Sequence, residues 1–425
     1  MPDTLISNGH VLTMDAAFTA YAGGGVAIKD GKISSIGDVS GLDAAQVIDA
    51  KGGLIIPGLI NTHCHAAMTL FRGLADDRPL DQFLQTVWAA EGAHINPDTV
   101  HIGATLGAAE MALGGVTHFV DMYWHFESTI AAAADVGIGL TTGPVFIAFD
   151  GVDQQPWEKR VTHAETAVAA HADVHMMLMP HSCYTMDAEK LGIVASLAAK
   201  HSLPIHIHAA EAPSEMAQMQ EIYGKRPIQV MEETGILDHP TLIAHAVHLD
   251  DTEIATLAKT GATVAHNPLS NAKLASGTMR THDMAQAGIP LSLGTDGASS
   301  GNDLDMWQAM RHASFMNTNA TGDAASLPAR DIFAMATRGG AAAIGLADHK
   351  GTLEVGKDAD IAVVDMSGLH MIPSYDPYST LVYTAGRSDV AHVFARGVQV
   401  VADKRLTVDI SDTVAEVQRL KGLIA

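Results

Sequence analysis

The chain has 425 residues, 47% of them apolar and 5% aromatic, and its 25 basic against 48 acidic residues leave a net charge of −23 with histidine neutral. That composition describes a globular protein with an aliphatic core and excludes a disordered chain, while the acidic surface makes nucleic acid and anionic membranes poor partners. Two cysteines, Cys64 and Cys183, exclude a disulfide framework, and the start Met1-Pro2-Asp3-Thr4 lacks the basic and apolar segments of a signal peptide.

No apolar run approaches the roughly 18 residues of a membrane span, so the cytoplasm is the expected compartment. Residues 1–57 read as short strands. Asn8-Gly9 and Asp30-Gly31, each flanked by β-forming residues, are predicted to be tight hairpin turns. The same texture returns in residues 350–425, as in Asp360-Ile361-Ala362-Val363-Val364 and His392-Val393-Phe394-Ala395. The two flanks are expected to build one small β-sandwich domain, with a helix at the C-terminus.

Between them, over residues 58–349, strand and helix alternate. Apolar strands are predicted at Leu54–Ile60 running on to His65, Val116–Asp121, near Gly139–Val145, Val174–Met179, Pro204–His208, Thr241–His245, Ala262–His266 and Ile289–Asp296. Helices are predicted between them, among them Asp98–Leu113, closed by Gly114-Gly115, and Asp187–His201. Near-continuous apolar strands are buried on both faces, and eight strand–helix units are the count of a (β/α)8 TIM barrel, an α/β fold of roughly 250 residues. A flat doubly wound sheet competes, but it does not explain why so many strands end in histidine or aspartate. A barrel gathers those ends on one rim, where its active site lies.

Histidine occurs 23 times. His63 and His65, two apart on a strand, point to the same side; His181, His208, His245, His266 and Asp296 close later strands. Three histidines and an aspartate around an open position are a fitting donor set for a divalent transition metal.

Asn61-Thr62-His63-Cys64-His65-Ala66-Ala67-Met68-Thr69-Leu70-Phe71-Arg72-Gly73 resembles the opening motif of the amidohydrolase superfamily. It is similar in particular to the cytosine-deaminase-like aminohydrolases, which include the 5'-methylthioadenosine/S-adenosylhomocysteine deaminases. The resemblance continues through His206-Ile207-His208-Ala209-Ala210-Glu211, Ala244-His245-Ala246-Val247-His248, His266-Asn267-Pro268-Leu269-Ser270-Asn271 and Gly294-Thr295-Asp296-Gly297. It closes at Gly356-Lys357-Asp358-Ala359-Asp360-Ile361 and so spans nearly the whole chain.

The resemblance implies that His63, His65, His208 and Asp296 hold one divalent metal, Zn²⁺ in the first place and Fe²⁺ as the alternative. Such a cation lowers the pKa of bound water from 15.7 toward about 7, with Asp296 placed to take its proton. Glu211 falls where the family has its proton shuttle, and His245 where water or a developing oxyanion is steadied. Strand 4 ends in Pro180-His181-Ser182, with no lysine between Lys159 and Lys190 to bridge a second metal, so a mononuclear site is expected. His181 then becomes a substrate contact, and Cys64 is expected to point away into the core.

The stretch from Asp81 to Glu91 resembles the lid-like segment of adenosine-type deaminases, whose matching glutamate binds the ribose hydroxyls; Glu91 takes that position, with Trp88 beside it. Ser300 would be a further contact. The segment Leu140–Asp150 departs from the S-adenosylhomocysteine deaminases in having no arginine after strand 3, and Arg160 is the one nearby substitute. The implied reaction is hydrolytic deamination of an adenosine-type nucleoside with a small or apolar 5'-group: 5'-methylthioadenosine, 5'-deoxyadenosine or adenosine, with S-adenosylhomocysteine further off. An aminohydrolase acting on a triazine, pterin or free purine, and a non-catalytic scaffold, are the alternatives. Relatives of this kind are commonly homodimers or homotetramers.

Overall fold

The computed structural model describes residues 1–78 and 80–424. Pro79 and Ala425, within the barrel and second-flank assignments, lie outside the described residues, as do the side chains of Leu80 and of Asp81, which opens the lid-like stretch.

Eight parallel strands form the barrel: Leu59–Cys64, Val116–Asp121, Gly139–Thr142, His175–Met176, Ile205–Ala209, Thr241–His245, Thr263–His266 and Leu291–Leu293. The first four pair in sequence, as do the last four. Two seams close the ring. Parallel bridges Leu178–Ile205 and Ser182–His208 join strand 4 to strand 5. At the other seam the His63 carbonyl accepts hydrogen bonds from the Thr295 and Asp296 amides at 3.1 and 3.0 Å. Asn61 adds a staple there, donating to Thr295 Oγ1 at 2.7 Å and accepting from the Thr295 amide at 3.1 Å. Strand 1 is thus tied to strand 8 at the point where both deliver polar side chains.

Strands 3 and 4 are each shorter than the sequence pattern suggests. Past Gly143-Pro144 a second small pair forms, Val145–Phe146 with Met179–Pro180. The chains pass so closely that a Cβ on Gly143 would lie 2.0 Å from the Met177 carbonyl oxygen. Around the barrel, the helix Pro97–Leu113 begins with a capping box between Asn96 and Thr99. The helix Ala188–His201 begins on Asp187, whose side chain accepts from the Lys190 amide.

Both flanks enter one nine-stranded sheet. Thr4–Leu12 lies antiparallel to Ala20–Lys29 and parallel to Gln46–Asp49 and Leu54–Pro57. Leu54–Pro57 pairs antiparallel with Ile361–Val364, which joins the two ends of the chain; Val390–Ala395 and Val398–Ala402 follow. Ile6, Val26 and Ile33 from the first flank share a core with Ile361, Val363 and Phe394 from the second. The apolar run Leu54–Ile60 therefore serves two sheets, dividing at Gly58. A final helix, Ser411–Ile424, ends the described chain. No helix among the described residues is long and apolar enough to cross a membrane.

One expected turn is absent. Asp30-Gly31 does form the hairpin between Ala20–Lys29 and Lys32–Gly37, with φ of 51° and 75°. Asn8-Gly9 instead makes a bulge inside the strand Thr4–Leu12, where the register shifts. Asn8 takes φ 55° and donates to Asp49, while Gly9 leaves room for Ile55, whose Cδ1 a Cβ would meet at 2.5 Å. The left-handed backbone that a turn would use serves a bend here.

Candidate active site

At the C-terminal ends of the barrel strands lies a cavity of about 360 Å³, whose wall includes His65, His181, His208, His245, Asp296 and Glu211. His63 sits beneath them, fully buried, its ring 4.9 Å from that of His65 and 4.8 Å from that of His208. Facing donors from His63, His65 and His208, and again from His63, His245 and Asp296, lie within 4.8 Å of one another.

Hydrogen bonds separate these rings into two kinds. His65 Nδ1 is 2.6 Å from the Met122 carbonyl oxygen, and His208 Nδ1 is 2.8 Å from that of His181. A carbonyl only accepts, so each Nδ1 carries a proton, and in the neutral ring each Nε2 keeps a free lone pair. His245 is the reverse. Asn271 donates its amide N–H to His245 Nδ1 at 2.9 Å, and the Asn267 amide is also near, at 3.5 Å. The His245 proton is then on Nε2, which makes the ring a donor toward the cavity rather than a metal ligand.

Asp296 supplies the carboxylate. Its backbone is left-handed, with φ 61°, and it receives the Gly297 amide at 2.8 Å and the Ser300 hydroxyl at 2.9 Å. Burial opposes its charge, yet the neighbouring His63 and His65 rings hold it well below the usual carboxylate range. Burial likewise opposes charge on His65, whose Nε2 lies 3.3 Å from Asp296 Oδ1, but the carboxylate raises that ring to about 9. The cluster thus favours positive charge at its centre. His63 Nε2 is buried with no protein partner and aims at the same point, 3.6 Å from Asp296 Oδ1. Three imidazole lone pairs and a carboxylate fit one divalent transition ion.

Glu211 stands 3.9 Å from His245 Nε2. Burial, reinforced by the Asp296 charge, pushes its carboxyl up to about 8, so that at neutral pH it holds a proton. Its loop is fixed from below by Glu215, which accepts the Ala210 and Glu211 amides at 2.9 and 2.6 Å.

Glu91 is buried on another wall, 3% exposed, where Tyr123 donates its hydroxyl to Oε1 at 2.6 Å. Burial pushes Glu91 up to about 7 against that bond. His181 faces the cavity with Nδ1 held 3.2 Å from Ser182 Oγ and 3.1 Å from Thr185 Oγ1. Trp88 lies half exposed at the mouth. Ser300 lines the cavity as well, its hydroxyl proton directed at Asp296 Oδ2 and the Gly297 carbonyl, both at 2.9 Å.

Arg160 does not join this wall. Its guanidinium clamps Asp153 through two bonds of 2.7 and 2.8 Å, and no lysine or arginine is among the cavity-lining residues described. Cys64 also stays out: its thiol is buried, 3.9 Å from Asp121 Oδ1. Several residues of the site were not visible as functional in the sequence: Asn61, Tyr123, Glu215, Asn267 and Asn271. All but Tyr123 flank the histidine motifs, and that neighbourhood was the available signal.

A family model described as the Amidohydrolase family matches residues 54–400. The chain belongs to the amidohydrolase family. A 5-methylthioadenosine/S-adenosylhomocysteine deaminase of Syntrophobacter fumaroxidans is 37% identical to this amidohydrolase, over 99% of this chain and 98% of its own. A 5'-deoxyadenosine deaminase of Methanosarcina mazei is 38% identical over the same shares. Among solved structures, an adenosine deaminase from Xanthomonas campestris with bound zinc superposes with a TM-score of 0.95 at 32% identity, covering 100% of this chain and 98% of that one. The barrel and flank sheet of this amidohydrolase are accordingly those of its solved relatives.

Proposed function

We propose that this amidohydrolase removes the 6-amino group of an adenosine-type nucleoside by hydrolysis, giving the inosine analogue and ammonia. His63, His65 and His208 through Nε2, with Asp296, would hold a single divalent ion, in the first place Zn²⁺. Bound there, such an ion supplies a Lewis acid that brings the pKa of water toward about 7.

The chain's own side chains account for the remaining work. Glu211 enters neutral and donates its proton to the purine ring nitrogen beside the attacked carbon, which lets that carbon accept an oxygen. His245, held with Nε2–H outward by Asn271, donates to the developing charge on that oxygen. Asp296 takes one proton from the incoming water. Glu211, its own proton now on the ring nitrogen, accepts the proton left on the attacking oxygen and passes it to the departing nitrogen so that ammonia leaves neutral. The proton held by Asp296 restores neutral Glu211. His181 contacts the purine from the strand 4 side. Glu91, oriented by Tyr123, accepts the ribose hydroxyls.

The observation that carries this reading is the half-buried Glu211 carboxyl 3.9 Å from His245 Nε2, in the same cavity that presents Glu91. The 5'-group is inferred from charge. With Glu91, Asp296 and Asp150 on the wall and no lysine or arginine among the described lining residues, the cavity suits a neutral 5'-substituent against the apolar Phe83, Leu84 and Trp88, and disfavours a 5'-phosphate.

The test is ammonia release across a panel: 5'-methylthioadenosine, 5'-deoxyadenosine, adenosine, adenosine 5'-monophosphate, S-adenosylhomocysteine, adenine, guanine, and an amino-triazine. The neutral nucleosides are expected to turn over and the monophosphate to be inert. Turnover of free bases or the triazine with none of any nucleoside would overturn the proposal.

A further inference from the structure

His206 precedes His208 by two residues on the strand Ile205–Ala209, so both side chains project to the barrel interior. His206 is completely buried and does not line the cavity. Its Nδ1 lies 2.9 Å from the Leu242 carbonyl oxygen on the next strand, and its Nε2 lies 2.8 Å from His63 Nδ1. The carbonyl can only accept, so the proton of the neutral His206 ring is on Nδ1 and its Nε2 is an acceptor. His63 must then donate from Nδ1. The remaining His63 nitrogen, Nε2, keeps its lone pair, and it is the buried atom with no partner in the protein.

We propose that His206 is a positioning residue that fixes His63 in its metal-binding tautomer, passing the direction of the Leu242 carbonyl through two rings to the metal. His65 and His208 are oriented by main-chain carbonyls, which no substitution removes. His63 Nδ1 has a side chain as partner instead, and so its orientation depends on one replaceable residue. Groups behind metal ligands typically change metal affinity tenfold to a hundredfold when lost. The inference rests on the reading of His63 as a ligand.

The experiment compares full-length wild-type protein with His206→Leu and His206→Gln, measuring Zn²⁺ affinity by competition with a chelator, the visible spectrum after Co²⁺ loading, and Tm. His206→Leu leaves His63 Nδ1 without an acceptor; Zn²⁺ affinity is expected to fall about tenfold to a hundredfold, with altered Co²⁺ bands. His206→Gln keeps an acceptor at the same reach and is expected to recover most of the loss. A purely structural role would lower Tm while leaving the Zn²⁺ affinity and Co²⁺ bands of the folded protein unchanged, and that result overturns the proposal. Should His206→Leu not fold, a crystal structure of Zn²⁺-loaded wild type decides: His63 bound through Nε2 with His206 at its Nδ1 supports the relay, and binding through Nδ1 overturns it. Wild type that takes up no divalent metal would instead overturn the metal-site reading beneath it.

Discussion

At the residue scale, the site depends on which atom of each side chain carries a proton. Glu211 is half-buried near the Asp296 carboxylate and desolvation pushes it up to about 8, so it is available as an acid where an ordinary glutamate would be spent. Glu211→Gln is expected to lower kcat by at least about 10²–10⁴-fold while metal content, measured on the purified protein, stays at the wild-type level. Unchanged turnover would remove Glu211 from the mechanism. Glu91 does different work. A charged hydrogen bond is worth about 1.5–3 kcal/mol, so Glu91→Gln is expected to raise KM for nucleosides about tenfold to a hundredfold with a smaller effect on kcat, read from steady-state kinetics. The residues facing the cavity were legible because histidine, glutamate and aspartate stood at strand ends in a motif order. Those beneath it were not. Whether Asn271 donates to His245, or Tyr123 to Glu91, depends on contacts between elements far apart in sequence, which no spacing reveals.

At the scale of elements, the strand ends arrive at one point because neighbouring strands are locked in register. Asn61 bonds both the side chain and the amide of Thr295, just before Asp296. Strands 3 and 4 approach so closely at Gly143 that a single methyl would strike the Met177 carbonyl. Gly143→Ala is therefore expected to cost about 1–3 kcal/mol, seen as a lower midpoint in urea unfolding; no change would mean the two strands have slack. The boundaries of the helices Pro97–Leu113 and Ala188–His201 were readable to within a residue, and Asn96 and Asp187 cap them locally. The Asn8-Gly9 bulge was not. The same dipeptide suits a hairpin turn and a left-handed bend, and only the packing of Ile55 against Gly9 decides between them.

At the scale of the whole molecule, the flank sheet and the barrel are joined by a buried polar link. Lys350 Nζ lies 2.8 Å from Asp360 Oδ2 and 3.3 Å from His118 Nδ1 on barrel strand 2, and Asp360 Oδ1 also accepts the Arg396 amide at 2.7 Å. Lys350 and Asp360 are 5% and 4% exposed, so removing one partner strands the other charge. Lys350→Met is expected to destabilise by about 3–5 kcal/mol, and the double variant with Asp360→Asn to recover part of that loss, both measured by urea unfolding. The pairing of the two flanks followed from their shared texture, but this link did not, because a lysine and an aspartate ten residues apart read as ordinary surface charge. The account as a whole asserts that one water oxygen replaces one nitrogen on an intact nucleoside. Turnover of 5'-methylthioadenosine by the Zn²⁺-loaded protein in H₂¹⁸O, followed by mass spectrometry, tests this directly. The expected product is the inosine analogue carrying a single ¹⁸O, with one ammonia released and the glycosidic bond unbroken; recovery of free base, or of unlabelled product, would contradict it.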